Sequence, residues 1–199
     1  MSRSAEKGKP MKRLALSGAL ALLAAPAMAH TGHGAEGLLH GLAHPFFGAD
    51  HLLAMVAVGL WSGLVLPRRV WAGAAAFLSA MLIGALLGFA GAELPMAEGM
   101  IALSVILFGV LVAVARRGQP RLLTAASLAT IAAFGTAHGY AHAVEATGSA
   151  AAYVAGFLMA SAVLHAVGIL GARALVTGRL AQILAGGAVV AAGALLVAG

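Results

Sequence analysis

The chain has 199 residues, 62% of them hydrophobic and only 9% charged, with a mean hydropathy of +1.00. A soluble domain carries roughly 25% charged residues, so a soluble globular enzyme is excluded, and the length suits one compact membrane domain built of helices about 20 residues long. Aromatics at 6% and 27 glycines favour helices packed through small residues over an outer-membrane barrel with aromatic girdles, and the absence of cysteine removes disulfides, thiolate metal sites and thiol catalysis together.

The formal charge of +6 suggests an anionic partner until the charges are located. Five of the twelve basic residues (Arg3, Lys7, Lys9, Lys12 and Arg13) precede the apolar run Leu14 to Ala25, which is followed by the small residues Ala27 and Ala29. A basic start, a short apolar core and an A-x-A site describe a secretory signal peptide at 1–29; an uncleaved first span is the alternative, but the run is short for one. Removing it leaves seven basic and five acidic residues, a net +2, and nucleic acid drops out as a partner. The remainder, 30–199, is expected to be a single all-α, polytopic membrane domain.

Its seven basic residues lie only in 67–69, 116–121 and 173–179, and they divide the chain into apolar blocks near 50–66, 71–91, 96–115, 122–143, 150–172 and 180–198. That pattern predicts six transmembrane helices. The connections between the basic ones, 91–95 and 145–149, are acidic or uncharged, so the positive-inside rule puts the arginines in the cytoplasm and both mature termini outside, in agreement with a cleaved leader. Gly84-x-x-x-Gly88 and Gly135-x-x-x-Gly139 are small-xxx-small pairs that would let backbones approach closely, unless they are chance in a glycine-rich chain.

Ionisable residues set against lipid need a reason, since a charge at the bilayer centre costs roughly 2.5–3.5 kcal/mol on insertion scales. The segment His44-Pro45-Phe46-Phe47-Gly48-Ala49-Asp50-His51 opens the first span. Pro45 disfavours the helical conformation at His44, so the span is expected to be entered through a broken His-Pro segment, continuous from about Asp50, with His44 folded back towards Asp50 and His51. Asp50 also suits an N-cap. In the fourth span His138, His142 and Glu145 follow at i, i+4 and i+7, which places them on one helical face. Two imidazoles a turn apart can grip a divalent cation, and a carboxylate can neutralise it or tune a histidine from behind. The topology puts both clusters in the outer half of the bilayer. His165 on the fifth span suits a hydrogen bond to a neighbouring helix better than a ligand, Glu98 suits an interfacial acid, and His30, His33 and His40 offer loose nitrogen donors ahead of the first span.

A donor set of nitrogen and oxygen suits Ni²⁺, Co²⁺, Zn²⁺ or Cu²⁺ rather than Mg²⁺, which prefers oxygen. The residues by themselves therefore reach an outward-facing metal site of His44, Asp50, His51, His138, His142 and Glu145, with His30, His33, His40, Glu98 and His165 as accessories. A zinc-dependent intramembrane hydrolase, with metal-activated water, and a bis-histidine haem protein stay open at this point.

The run His44-Pro45-x-x-Gly48-x-Asp50-His51-Leu52-Leu53-Ala54-Met55-x-x-Val58-Gly59 resembles the signature of the HupE/UreJ family of nickel and cobalt permeases associated with hydrogenase and urease. His138-Gly139-Tyr140-Ala141-His142-x-x-Glu145 is similar to that family's second motif, and 156–168 around Leu164-His165 to its third. The resemblance spans essentially the whole chain. It departs at Ala143, where glycine is usual, and at Ala137, where an aromatic is usual. It implies a non-enzymatic secondary permease of the bacterial cytoplasmic membrane, carrying Ni²⁺ with Co²⁺ as second candidate and holding no permanent cofactor. The expected partners are then a divalent metal ion and membrane lipid, with room for a homo-oligomer. His44, Asp50 and His51 would select the metal, and His138, His142 and Glu145 would complete its path.

The leader makes a direct prediction. N-terminal sequencing of the membrane-inserted protein should begin at His30; a sequence starting at Met1 or Met11 would remove the cleavage.

Overall fold

The computed structural model of the chain describes residues 33–198, which form seven α-helices. The expected signal peptide and His30 lie outside the described residues. The helices are α1 (His33–Phe47), α2 (Ala49–Val65), α3 (Ala72–Phe89), α4 (Ala97–Val114), α5 (Arg121–Val144), α6 (Ala150–Ala174) and α7 (Arg179–Ala198). No strand occurs among the described residues, as suits apolar segments whose backbone polar groups must be satisfied without water. The helices α3 to α7 are 18 to 25 residues long with mean hydropathy from 1.3 to 2.3, enough to cross a bilayer, whereas α1 and α2 pass the same test only as a pair bent by 78°. The protein is a multi-pass membrane protein with five candidate spans, or six when the bent pair counts as one.

Helix ends follow local chemistry. Leu66-Pro67 follows α2, Pro120 immediately precedes α5, and Ser149 caps α6 by accepting the Ala152 N–H at 3.5 Å. Ser62 Oγ accepts the Gly73 N–H at 3.0 Å, tying the end of α2 to the start of α3.

Two expectations about the first span need correction. His44 and Pro45 lie inside α1, and the residue that leaves the helix is Gly48, with φ −84° and ψ 111°. The bias that proline imposes on its predecessor is overridden because α1 is clamped along α6: Gly41 sits against the Tyr153 carbonyl and Gly156 against that of Leu38. Asp50 is not the N-cap either. Gly48 holds that position, and Asp50 lies in the first turn with its carboxylate turned onto His51.

The helix α2 is the axis of the bundle and touches all six others. Its long partner is α6, while α3 pairs with α5 and α4 with α7. The two GxxxG pairs are one interface. Gly84 faces the Thr136 carbonyl, Gly139 the Met81 carbonyl, Gly135 the Phe77 carbonyl, and Gly88 the methyl of Ala143. Ala143 thus departs from the resembled pattern where a glycine on the facing helix leaves room for it. Trp61, Phe77, Phe108 and Phe157 fill the interior, each buried.

At Gly139 an added methyl would strike a backbone carbonyl that cannot rotate away, so Gly139→Ala should lower stability by about 1–3 kcal/mol. Gly187, in α7, has open space around it, and Gly187→Ala should be neutral or stabilise by up to about 1 kcal/mol. Thermal unfolding of the two purified variants checks the contrast.

Candidate metal centre

The bend supplies the first half of the site. His44 and His51 are seven residues apart, which on a straight helix separates them by roughly 10 Å along the axis; across the break their ring centroids are 5.8 Å apart. The helix α5 supplies the second half. The His51 ring lies 4.8 Å from that of His138 and 4.6 Å from that of His142, and His44 lies 4.9 Å from His142. One nitrogen from each of His44, His51 and His142 falls within 4.8 Å of the other two. Metal–nitrogen bonds of about 2.1 Å require only a small inward rotation of these rings.

Hydrogen bonds decide which nitrogens can bind. The Asp50 carboxylate accepts the His51 Nδ1–H at 2.8 Å, which leaves His51 Nε2, buried and without a protein partner, as the lone-pair nitrogen. Glu145 Oε2 accepts His44 Nε2–H at 2.9 Å, freeing His44 Nδ1. The single proton of Ser104 goes to the Ile101 carbonyl at 2.6 Å, so the 3.0 Å bond between Ser104 Oγ and His138 Nε2 must carry the histidine's proton. His138 Nδ1 is then a buried lone pair with no partner. In α6 the Ser161 carbonyl accepts His165 Nδ1–H at 2.6 Å, and His165 Nε2 is bare in the same way. Neither nitrogen of His142 has a partner. An unpaired buried polar atom costs roughly 1–3 kcal/mol, and His51 Nε2, His138 Nδ1, His165 Nε2 and one of the two nitrogens of His142 are left as buried lone pairs. A cation satisfies those four lone pairs, whereas a hydrogen-bond acceptor would satisfy only the remaining N–H of His142.

The surroundings are graded in depth. Glu145 and His44 are partly exposed at the mouth, His51 is 7% exposed, and His142, His138 and His165 are fully buried. Phe157 stacks on His142 with centroids 4.6 Å apart and planes 11° from parallel. Phe77 stands 5.2 Å from both His138 and His165.

Of the expected site residues, the structure gathers His44, His51, His138 and His142. Asp50 and Glu145 come to the site as partners of imidazoles rather than facing the space between them; Glu145 lies just past the end of α5 and reaches across to α1. His40 joins at the rim, sharing a 2.6 Å hydrogen bond with Thr147 Oγ1 and packing its edge on His44. His33 is the first residue of α1. Glu98 is exposed in the first turn of α4 and stays apart. His165 bonds its own helix, not a neighbour. Ser104, Phe157 and Tyr153, whose ring lies 5.3 Å from that of His40 and 6.4 Å from that of His142, are the residues that the sequence reading missed. Tyr153 and Phe157, one turn apart and the only aromatics of α6, were the available signal; nothing in the sequence marked Ser104.

A family model described as HupE / UreJ protein matches residues 18–196. Protein HupE of Rhizobium leguminosarum bv. viciae is 41% identical over 196 residues, covering 95% of this chain and 100% of the relative. No solved structure matches the chain significantly. With the family's motifs accounted for along the chain, from the bent first span to the imidazole of α6, the protein belongs to the HupE/UreJ family.

Proposed function

We propose that this protein is a secondary permease for Ni²⁺, with Co²⁺ as the second candidate cargo, working from the periplasm into the cytoplasm of a bacterium and supplying the maturation of a metalloenzyme such as hydrogenase or urease. The observation that carries the reading is the convergence of His44, His51 and His142 from three helices with lone pairs turned inward. Imidazole donors suit borderline dications, and the absence of carboxylates from the innermost position keeps affinity moderate, which release requires. His40 and the partly exposed His44–Glu145 pair would exchange the first waters of the ion, His51 and His142 the next. Asp50 holds His51 in the binding tautomer and strengthens it as a ligand. His138 and then His165 continue the line of bare nitrogens inwards, past Phe77.

The chain has no G-x-x-x-x-G-K-[ST] phosphate loop, so the driving force is electrical or a gradient. A dication gains about 4.6 kcal/mol across 100 mV, twice the value per elementary charge. The zinc-hydrolase alternative lacks support, because Asp50 and Glu145 are both engaged by imidazoles instead of being placed to take a proton from a metal-bound water.

In Ni²⁺ uptake by intact cells at matched protein level, His44→Ala, His51→Ala and His142→Ala should each nearly abolish transport. Asp50→Asn should reduce it by roughly 10–100-fold, as outer-shell changes do. The double variants should add little, since groups acting as a unit are non-additive. Undiminished uptake in both His51→Ala and His138→Ala would overturn the assignment.

Orientation has its own test. Reporter fusions at Gln119 and Thr177 should read cytoplasmic, and those at Leu94 and Gly148 external; one inverted result would break the topology.

A further inference from the structure

At the end of the bundle opposite the histidines lies a cavity of about 740 Å³ between the ends of α2, α4, α6 and α7, lined by Arg116, Arg117, Arg173 and Arg179 together with Gln182 and the apolar Leu64, Ala172 and Val176. We propose that this cavity binds a phosphate-bearing anion, and that its source is the headgroup of an anionic membrane phospholipid. The site is separate from the metal centre and does not rest on the transport reading.

Charge segregation makes the first argument. All seven arginines of the described residues sit at or beside the three connections of this end, whereas the five carboxylates (Glu36, Asp50, Glu93, Glu98 and Glu145) belong to the other end. Among the described residues no arginine has a carboxylate within ion-pair distance; the ion pairs there involve histidine. Four like-charged guanidinium groups therefore line one cavity with no carboxylate among the described residues paired to them. A guanidinium fork matches phosphate oxygens in pairs.

The second argument is that the cavity is built rather than a gap between loops. Gln182 is buried, and its amide donates to the carbonyls of Val112 at 2.8 Å and Ala115 at 2.7 Å. Arg179 Nη1 donates to the same Ala115 carbonyl at 3.4 Å, which leaves the rest of its fork free. These bonds lock the start of α7 to the end of α4 and hold the wall that carries Arg116 and Arg179.

The third argument selects the source. Leu175 and Leu180, 77% and 71% exposed, flank the arginine-bearing connection, and Leu64, Ala172 and Val176 are part of the lining, so a ligand with a phosphate and hydrocarbon chains meets both kinds of surface while free phosphate meets only one. Basic pockets between membrane-spanning helices are where anionic lipid headgroups are held.

The test uses the purified full-length protein in detergent micelles doped with phosphatidylglycerol or phosphatidylcholine, or supplied with inorganic phosphate, and reads bound lipid by native mass spectrometry and stability by thermal unfolding. Phosphatidylglycerol should stay bound and raise Tm, and phosphatidylcholine should do neither. Arg116→Gln/Arg173→Gln should weaken the phosphatidylglycerol response by roughly tenfold or more, about 1.4 kcal/mol or more, while Arg68→Gln/Arg69→Gln, on the neighbouring connection, should leave it unchanged. If the first double variant does not fold, Arg116→Lys/Arg173→Lys keeps the charge, loses the fork, and should still weaken binding where Arg68→Lys/Arg69→Lys does not. Equal losses in the two pairs of positions would reduce the effect to general surface attraction and overturn the site. A Tm rise with inorganic phosphate but none with phosphatidylglycerol would overturn the lipid as its source.

Discussion

The bend at Gly48 is the constraint on which the rest of this structure depends. Breaking a helix in a membrane normally strands backbone groups that have no water to turn to, yet here little is lost. Pro45 has no N–H to satisfy, the Gly48 N–H still reaches the His44 carbonyl at 3.4 Å, and the Gly48 carbonyl accepts from Leu52 at 2.9 Å. One extended residue therefore turns the chain by 78° at small cost in hydrogen bonds. It converts a seven-residue separation into a contact between His44 and His51, and it lets α1 lie against the outer part of α6 while α2 runs down the middle of the bundle.

Close backbone contact then holds the geometry in place. Gly84, Gly135 and Gly139 bring α3 and α5 together with backbone carbonyls against the glycines, which sets the rotation of α5 about its own axis. That rotation points His138 and His142 at His51. The aromatic side chains complete the enclosure: Phe157 lies flat on His142, and Phe77 packs against both His138 and His165. Small residues fix where the helices are, and large ones exclude water from what lies between them.

Charge is distributed along the same axis. Histidines and carboxylates occupy the end where α1 meets the α5–α6 connection, and arginines occupy the other end. Within the histidine cluster the carboxylates stand behind imidazoles, so their charge supports the ring nitrogens instead of competing with them for a ligand. On the proposed transport reading, a dication held by a carboxylate pair would be slow to leave, whereas imidazoles polarised from behind would bind it by lone pairs that a neighbouring ring could take over.

Much of this was legible in the sequence because it depends on one-dimensional properties. Apolar run length and the placement of arginines locate the helices α2 to α7 to within a few residues, and i, i+4 spacing puts His138 and His142 on one face. The glycine pairs mark an interface, although not which helix lies opposite. The helix α1 escaped because its glycines and Pro45 read as an interruption, while its stability comes from Tyr153 and Gly156 of a helix more than a hundred positions away. The break falls at Gly48 rather than at His44-Pro45 for the same reason. Asp50 and Glu145 could be singled out in the sequence as candidates, but not their hydrogen bonds to His51 and His44, nor the hydrogen bond of Ser104 to His138. Residue types and spacing determine which side chains can meet. Which of them do meet, and through which atom, is decided by the rotation and bending of helices in contact, and those are set by packing between segments far apart in the chain.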